Sequence, residues 1–189
     1  MKRRSVVGIA LGLVACGHAA VVSSPAPLSW PAAAAAAPPI AVQATATIID
    51  LAGAPIGSAS FTDTPAGLLV IGSVSGLGIG VHGVHLHSAG RCEAPFASAG
   101  SHFNPGGAKH GFRSPAGHHA GDLPNVVTPP AGAYGFQFVA AGVKLTGKDG
   151  LIDTHGASIV FHSGADDYLT DPSGGSGGRL ACGVITLTK

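Results

Sequence analysis

The 189-residue sequence lacks the patterns that define several common classes of protein. No segment places its apolar residues at the period of an amphipathic helix, so a helical fold is not expected. The apolar run at residues 6–15 is too short to span a bilayer as a helix, which needs about 20 residues. Without Lys2, Arg3 and Arg4, the ten lysines and arginines fall to seven against nine acidic residues, which leaves no basic stripe for nucleic acid.

The N-terminus has the features of an export signal. Basic residues 2–4 precede the apolar run, and small residues lead up to Cys16. This ending resembles the bacterial lipobox, in which the cysteine is lipidated and becomes the new N-terminus. We expect residues 1–15 to be a signal peptide of the lipoprotein type. The mature protein would then be periplasmic and bound to the membrane only through a lipid on Cys16. The alternative is simple secretion, with cleavage near Ala19 or Ala20.

The rest of the chain divides into a tether and one domain. Residues 16–41 are rich in alanine and proline without an apolar period, which predicts a stiff or disordered tether. Residues 42–189 are long enough to bury a single core. Three cysteines are an odd number for an exported protein. If Cys16 carries the lipid, Cys92 and Cys182 remain, and an oxidising compartment would let them form a disulfide.

Short segments of β-forming residues recur through the domain, separated by glycine, proline and aspartate. They predict an all-β fold, either a sandwich or a barrel. Two long segments, 88–131 and 163–178, do not look like strands, and long loops inside a compact domain are usually functional. The predicted strands lie at residues 42–50, 57–64, 68–74, 80–87, 133–140, 143–145, 158–162 and 180–188.

Possible metal ligands are concentrated in and around these two loops. Seven such groups exceed the needs of one ordinary site, so they predict two metal ions close together. On a strand, His85 and His87 point to the same face and can bind one metal. His82 is an odd number of positions from His85, faces the opposite side and is interpreted as structural. The seven groups are His85, His87, His102, His110, His119, Asp122 and His162.

Four segments carry a resemblance to a known family. They are residues 80–87, 100–111, 119–125 and 179–185. In their order and nearly all their spacings they resemble copper/zinc superoxide dismutase over about residues 42–189, and the export signal resembles that of the bacterial exported type. The resemblance implies an all-β, eight-stranded Greek-key barrel with two long functional loops. It also implies an enzyme that converts superoxide into dioxygen and hydrogen peroxide.

The resemblance further implies copper and zinc as cofactors, superoxide as substrate and a role for each candidate residue. His102 would bridge the two metals and act in catalysis. Asp166 would orient one copper-binding and one zinc-binding histidine. Arg179 would attract the superoxide anion, and Cys92 and Cys182 would form the disulfide of the family. The implied copper ligands are His85, His87, His102 and His162. The implied zinc ligands are His102, His110, His119 and Asp122.

Two points leave alternatives within this site. His118 precedes His119 and could bind zinc in its place, although the three-residue spacing to Asp122 favours His119. The segment 163–178 contains no lysine of the kind that steers superoxide in eukaryotic relatives. Lys109 or Arg113 could take over that role, or either could simply be a solvated charge.

Two further alternatives concern the whole protein. A binding module that buffers copper or zinc without turnover would need the same ligands but would have no use for Arg179. The sequence is also compatible with either a monomer or a homodimer.

Overall fold

The structure, a computed structural model, describes residues 43–188. The expected signal peptide (1–15), the lipidated Cys16 and the tether (16–41) lie outside the described residues. Within residues 43–188, no helix is long and apolar enough to cross a membrane.

The described part of the chain contains eight β-strands, which confirms the all-β prediction. In the first strand Ala44, Ala46 and Ile48 are buried and the residues between them are exposed, so alternate side chains enter the core. A single turn of 3₁₀-helix, Ala97–Ala99, lies in the loop after the fourth strand. The strands are β1 (Gln43–Asp50), β2 (Pro55–Thr64), β3 (Gly67–Val74), β4 (Gly80–His87), β5 (Asp122–Thr128), β6 (Tyr134–Ala141), β7 (Ala157–His162) and β8 (Arg179–Leu187).

The eight strands form one antiparallel sheet in the order β5-β4-β7-β8-β1-β2-β3-β6. Its end strands, β5 and β6, approach each other and nearly close a barrel. The connections from β3 to β4 and from β6 to β7 link strands that are not neighbours in the sheet, which gives a Greek-key arrangement. The predicted eight-stranded Greek-key barrel is therefore confirmed.

One strand lies where the sequence predicted a loop. Because β5 falls inside residues 88–131, the first long loop covers 88–121 and ends ten positions earlier than predicted. Pro124 and Asn125 disfavour a strand interior in general. However, β5 is an end strand of the sheet, where proline is tolerated because one edge needs no complete hydrogen-bond ladder.

The strand predicted at residues 143–145 is wrong. These residues belong to the connection between β6 and β7. Val143 and Leu145 are buried in the core even so, and the Leu145 N–H donates to Asp63 Oδ1 at 2.9 Å. Their apolar character therefore reflects burial in the core and not a place in the sheet.

Strand β4 is buried on both faces from His82 onward. Val84 and Leu86 belong to the core inside the barrel. Because side chains alternate along a strand, His85 and His87 point to the outside. They are fully buried there, since His85 contacts the second long loop, residues 163–178, and His87 contacts the first. The two long loops therefore cover His85 and His87 on the outer face of the barrel.

A disulfide between Cys92 and Cys182 joins the first long loop to β8, which confirms the predicted pairing. The same stretch of loop buries Phe96 and Ala99 against Val160 and Cys182, in a small apolar cluster separate from the main core. The loop is thus held to the sheet by a covalent bond and by apolar contacts.

Candidate metal centre

Four histidines meet where β4, β7 and the first long loop converge. His85 and His87 lie on β4, and His162 is the last residue of β7. A short β-bridge between His87 and His102 brings the loop to the strand. One ring nitrogen of each histidine lies within 4.8 Å of the others, and all four residues are buried. We call these residues the four-histidine group.

Three rings of this group share one hydrogen-bonding pattern. One nitrogen donates to an oxygen of a loop, and the opposite nitrogen has no hydrogen-bond partner among residues 43–188. The donating nitrogen fixes the tautomer, so the opposite nitrogen offers a lone pair that a metal ion can take. The donors are His85 Nε2 to Asp166 Oδ2 (2.8 Å), His87 Nδ1 to the Gly100 carbonyl (3.0 Å) and His162 Nδ1 to the Gly177 carbonyl (3.3 Å). The nitrogens without partners are His85 Nδ1, His87 Nε2 and His162 Nε2.

Burial keeps these three rings neutral. It lowers the pKa of His85 to about 4 and that of His162 to about 3, and it holds the pKa of His87 well below its usual value. Near neutral pH the free nitrogens therefore carry lone pairs and not protons. Neutral imidazole is the form that binds metals.

A second group forms around the carboxylate of Asp122. The Nδ1 atoms of His102, His110 and His119 lie 3.0, 3.1 and 3.3 Å from Asp122 Oδ1, and those of His102 and His119 are 3.2 Å apart. Four ligands around a tetrahedral zinc ion, each about 2.0–2.1 Å from it, are about 3.3 Å from one another. The spacing of these four atoms therefore fits zinc. We call the four residues the Asp122 group.

Two details strengthen this reading of the Asp122 group. His110 Nδ1 is buried and makes no hydrogen bond within residues 43–188, although Asp122 Oδ1 is only 3.1 Å away, as expected if both atoms face a common cation. A ligand atom of His85 also lies within 4.8 Å of those of His102, His110 and Asp122. We assign His119 and not His85 to the group, because His119 Nδ1 lies 3.3 Å from Asp122 Oδ1 and 3.2 Å from His102 Nδ1, whereas His85 makes its ion pair with Asp166 and none with Asp122 within residues 43–188.

Asp122 is ionised inside this group. Its Oδ2 accepts the backbone N–H groups of Gly111 at 2.8 Å and of His119 at 3.0 Å. Burial alone would raise the pKa of Asp122, but the hydrogen bonds from His102 and Gly111 outweigh it and hold the pKa at about 2. The group thus offers three imidazole nitrogens and one anionic oxygen, a donor set that zinc accepts.

His102 belongs to both groups. Its Nδ1 faces Asp122 and His119, which leaves Nε2 for the four-histidine group. The rings of His85 and His102 lie 3.9 Å apart, centre to centre. A single imidazole therefore connects the two candidate metal positions.

Asp166 supports both groups from the second long loop. Its two carboxylate oxygens accept from His85 Nε2 at 2.8 Å and from His110 Nε2 at 2.9 Å, and the side chain is buried. Burial acts to raise the pKa of Asp166, but the hydrogen bonds from His85, His110 and the Tyr168 N–H together lower it on balance. The resulting carboxylate orients one ring of each group.

The structure places His119, and not His118, beside Asp122. The His118 Nδ1–H donates to the His119 carbonyl at 2.7 Å, and its ring packs edge-on against Phe112 with centroids 4.7 Å apart. His118 Nδ1 is thus bound to a backbone carbonyl, and within residues 43–188 the ion pairs of Asp122 are with His102, His110 and His119 and not with His118. Each residue that the sequence proposed as a copper or zinc ligand thus lies in one of the two groups.

Comparison with known proteins decides the family. Residues 56–185 match the sequence profile described as copper/zinc superoxide dismutase (SODC). The protein belongs to the copper/zinc superoxide dismutase family.

Individual relatives agree with this family. The chain is 41% identical over 148 residues to Cu-Zn superoxide dismutase 2 of Aquifex aeolicus, a match that covers 76% of this chain and 86% of the relative. It is 40% identical over 153 residues to the Cu-Zn superoxide dismutase of Deinococcus radiodurans, covering 74% and 82%. The crystal structure of a SOD-like protein from Bacillus subtilis superposes with a TM-score of 0.70 at 36% identity, covering 74% of this chain and 96% of that one.

In this dismutase-family protein a cavity of about 990 Å³ opens onto the four-histidine group. His102, His162 and Arg179 line it. The Arg179 guanidinium donates to the carbonyls of Phe96 at 2.6 Å and Gly100 at 2.7 Å, which fixes it to the first long loop. The Gly100 carbonyl also accepts from His87, so the arginine and a candidate ligand share one acceptor. Arg179 therefore has the loop-capping contacts of a structural arginine and a position facing the cavity.

Lys109 and Arg113, the two residues considered from the sequence as steering charges, do not line this cavity. Lys109 is exposed and pairs with Asp171 at 2.9 Å, and neither Lys109 nor Arg113 is among the described residues that line the cavity. The charged groups that do line it are Arg179, Asp149 and Asp153. Arg179 is thus the only lysine or arginine among the described residues that line the cavity.

Sequence reasoning assigned no role to Asn125 or Tyr168, yet both contact Asp166. Asn125 stood three positions after Asp122 in a motif that carried the family resemblance, which was the available signal. Nothing in the sequence pointed to Tyr168, because its contacts depend on how the second long loop folds over β5.

Proposed function

We propose that the protein is a superoxide dismutase whose copper and zinc are held by the seven residues of the two groups. The observation that carries the proposal is that His102 belongs to both groups. One group consists of four imidazoles, and the other consists of three imidazoles and a carboxylate. Four imidazoles suit Cu(II), and three nitrogens with one carboxylate oxygen suit Zn(II). His85, His87, His102 and His162 would bind copper. His102, His110, His119 and Asp122 would bind zinc.

Copper supplies the electron transfer of the reaction, in which one superoxide is oxidised to dioxygen and a second, with two protons, is reduced to hydrogen peroxide. His102 provides the place for one of these protons. With Nδ1 committed to the Asp122 group, Nε2 is the atom that takes up a proton and donates it to the nascent peroxide. A cation near Nδ1 lowers the proton affinity of the ring, so the proton is readily given up.

Arg179 provides the attraction for the substrate. Its guanidinium is held by two loop carbonyls at the wall of the cavity, so its position does not depend on the arrival of an anion. A fixed cation in a concave site raises the local concentration of small anions and their rate of association. The supporting contacts and the electrostatic role are compatible, because the same hydrogen bonds that cap the loop aim the charge.

We further propose that the enzyme is exported and that the chain is organised as a signal peptide (1–15), a tether (16–41) and a dismutase domain (42–189). The disulfide supports export, since disulfides persist in oxidising compartments such as the periplasm. Cys16 would carry the lipid anchor. A Cys16→Ser variant should leave the membrane fraction in cell fractionation, and unchanged partition would rule the anchor out.

The proposed activity is tested by measuring metal content and superoxide decay on the same sample of mature protein. We expect one copper and one zinc per chain and a dismutation rate far above that of the same amount of free copper. Binding of both metals without turnover would contradict the dismutase function and favour a metal buffer. Failure to bind zinc or copper in these amounts would contradict the two sites themselves.

A further inference from the structure

Tyr168 makes a set of contacts that the proposed reaction does not use. It lies in the second long loop, two positions after Asp166, and is half-buried. Its hydroxyl oxygen accepts the backbone N–H of Asn125, in the middle of β5, at 2.7 Å. Its own backbone N–H donates to Asp166 Oδ1 at 2.6 Å. One residue thus links β5 to the carboxylate that holds His85 and His110.

Asn125 completes this link from the other side. Its side-chain amide donates to the Asp166 carbonyl at 2.8 Å, and its Oδ1 accepts the Asp166 N–H at 2.9 Å. The backbone of Asp166 is therefore held at both its donor and its acceptor by one side chain. The same residue, Asn125, donates its own backbone N–H to the Tyr168 hydroxyl.

The backbone of Tyr168 is also fixed against the first long loop. Its carbonyl accepts the Arg113 N–H at 2.9 Å, and its φ of 62° lies in the left-handed region, which is uncommon for a residue with a side chain. Gly111 passes so close to the Tyr168 carbonyl that a Cβ at position 111 would overlap it. These close contacts hold Tyr168 between Asp166 and the part of the first long loop that carries His110.

We propose that Tyr168 is a positioning residue for the zinc site. Its hydroxyl, through Asn125, holds Asp166 where the carboxylate can orient His110 toward the Asp122 group. This inference rests on the proposed zinc ligands and adds a residue that touches neither metal nor substrate. Hydrogen-bonded groups outside the ligands usually change metal affinity by about 10- to 100-fold when removed, and a residue one step further out should act at the low end of that range.

The variant Tyr168→Phe removes the hydroxyl alone. The aromatic ring packs against Phe112 with centroids 5.6 Å apart, and phenylalanine keeps that contact. The matched control is Tyr134→Phe, because Tyr134 begins β6 and packs against the main core, outside both groups. Zinc affinity is measured by competition with a chelator, and the geometry of the site by the visible absorption of Co(II) bound in place of zinc.

We expect Tyr168→Phe to lower zinc affinity about tenfold and to shift the cobalt spectrum, with Tyr134→Phe matching wild type in both. In an Asp166→Asn background, Tyr168→Phe should have little further effect, since the hydroxyl acts through that carboxylate. Equal zinc affinity and an unchanged cobalt spectrum in Tyr168→Phe would overturn the inference alone. So would the same tenfold loss in both backgrounds. Wild-type protein that binds no zinc would overturn the proposed zinc site and this inference together.

Discussion

Two substitutions of Arg179 can distinguish its positive charge from its hydrogen bonds to the first long loop. Arg179→Ile removes both the cation and its two bonds to loop carbonyls, whereas Arg179→Lys keeps the cation. Because a fixed cation raises the rate at which anions arrive, we expect the isoleucine variant to lose about tenfold or more in kcat/KM and most of its dependence on salt. The lysine variant should keep most of the rate.

The measurement is superoxide decay at several ionic strengths, with metal content determined on the same samples. Arg113→Ile serves as the control, because Arg113 is not among the described residues lining the cavity. A drop in rate for Arg179→Ile that is fully explained by lost copper would contradict the electrostatic role.

At this scale the sequence predicted the residues with distinctive chemistry. His85 and His87 were placed on one face by the period of a strand, and the structure brings them together on that face. Contacts made through backbone atoms could not be predicted. The Gly100 carbonyl, which accepts from both His87 and Arg179, has no side chain to mark it, and its partners lie 13 and 79 positions away.

The first long loop is the element whose attachment matters most, because its carbonyls hold His87 and Arg179. The disulfide that attaches it closes a loop of 90 positions, worth about 4 to 5 kcal/mol in the chain-entropy account before strain. Replacing Cys92 and Cys182 with serine should therefore lower the free energy of unfolding by several kcal/mol. Dismutase activity should fall as well, since the loop that fixes Arg179 loses its covalent tie.

Urea denaturation and activity assays on the double-serine variant check this prediction. Wild-type protein treated with a reducing agent should behave like the variant, and the reducing agent should have no effect on the variant itself. Unchanged stability in both would show that the apolar contacts of Phe96 and Ala99 hold the loop without the disulfide.

The strands illustrate which elements a sequence can reveal. β1 has clean alternation and was predicted within one residue of its start. β5 was missed because Pro124 and Asn125 disfavour a strand, while residues 143–145 were taken for one because their apolar side chains are buried in the core. In both cases the deciding factor was tertiary position, at the edge of the sheet for β5 and in the core for the connection at residues 143–145, and the local residue pattern does not encode it.

For the whole molecule, several buried histidine nitrogens lower the free energy of unfolding, and bound metal ions would compensate for this loss. His85, His87, His110 and His162 each bury a ring nitrogen without a hydrogen-bond partner among residues 43–188. A buried polar atom of this kind costs about 1–3 kcal/mol. The metal-free protein is therefore less stable than the same fold would be if these nitrogens had partners. Metal ions that bind these nitrogens only in the folded state should stabilise the protein by mass action.

The same histidines predict how the metal-free protein responds to acid. The pKa of His85 is lowered to about 4 and that of His162 to about 3, both chiefly by burial, whereas an unfolded chain has histidine pKa values near 6.5. Below pH 6.5 the unfolded state therefore binds more protons than the folded state, and acid favours unfolding. Between pH 6.5 and 5 these two residues should lower the free energy of unfolding by about 3 kcal/mol. Above pH 7 their contribution should be constant.

Urea denaturation of chelator-treated protein between pH 8 and 5 measures this dependence. His162→Gln should reduce the loss of stability in acid, and His155→Gln, at an exposed position outside both groups, should leave it unchanged. Protein loaded with copper and zinc should resist acid to a lower pH, because the metals occupy the nitrogens that would otherwise take up protons, and its loss of stability should coincide with release of metal. Metal-free protein whose stability is flat from pH 7 to pH 5 would contradict the neutral, buried state of these rings, and with it the physical basis for their affinity for metal.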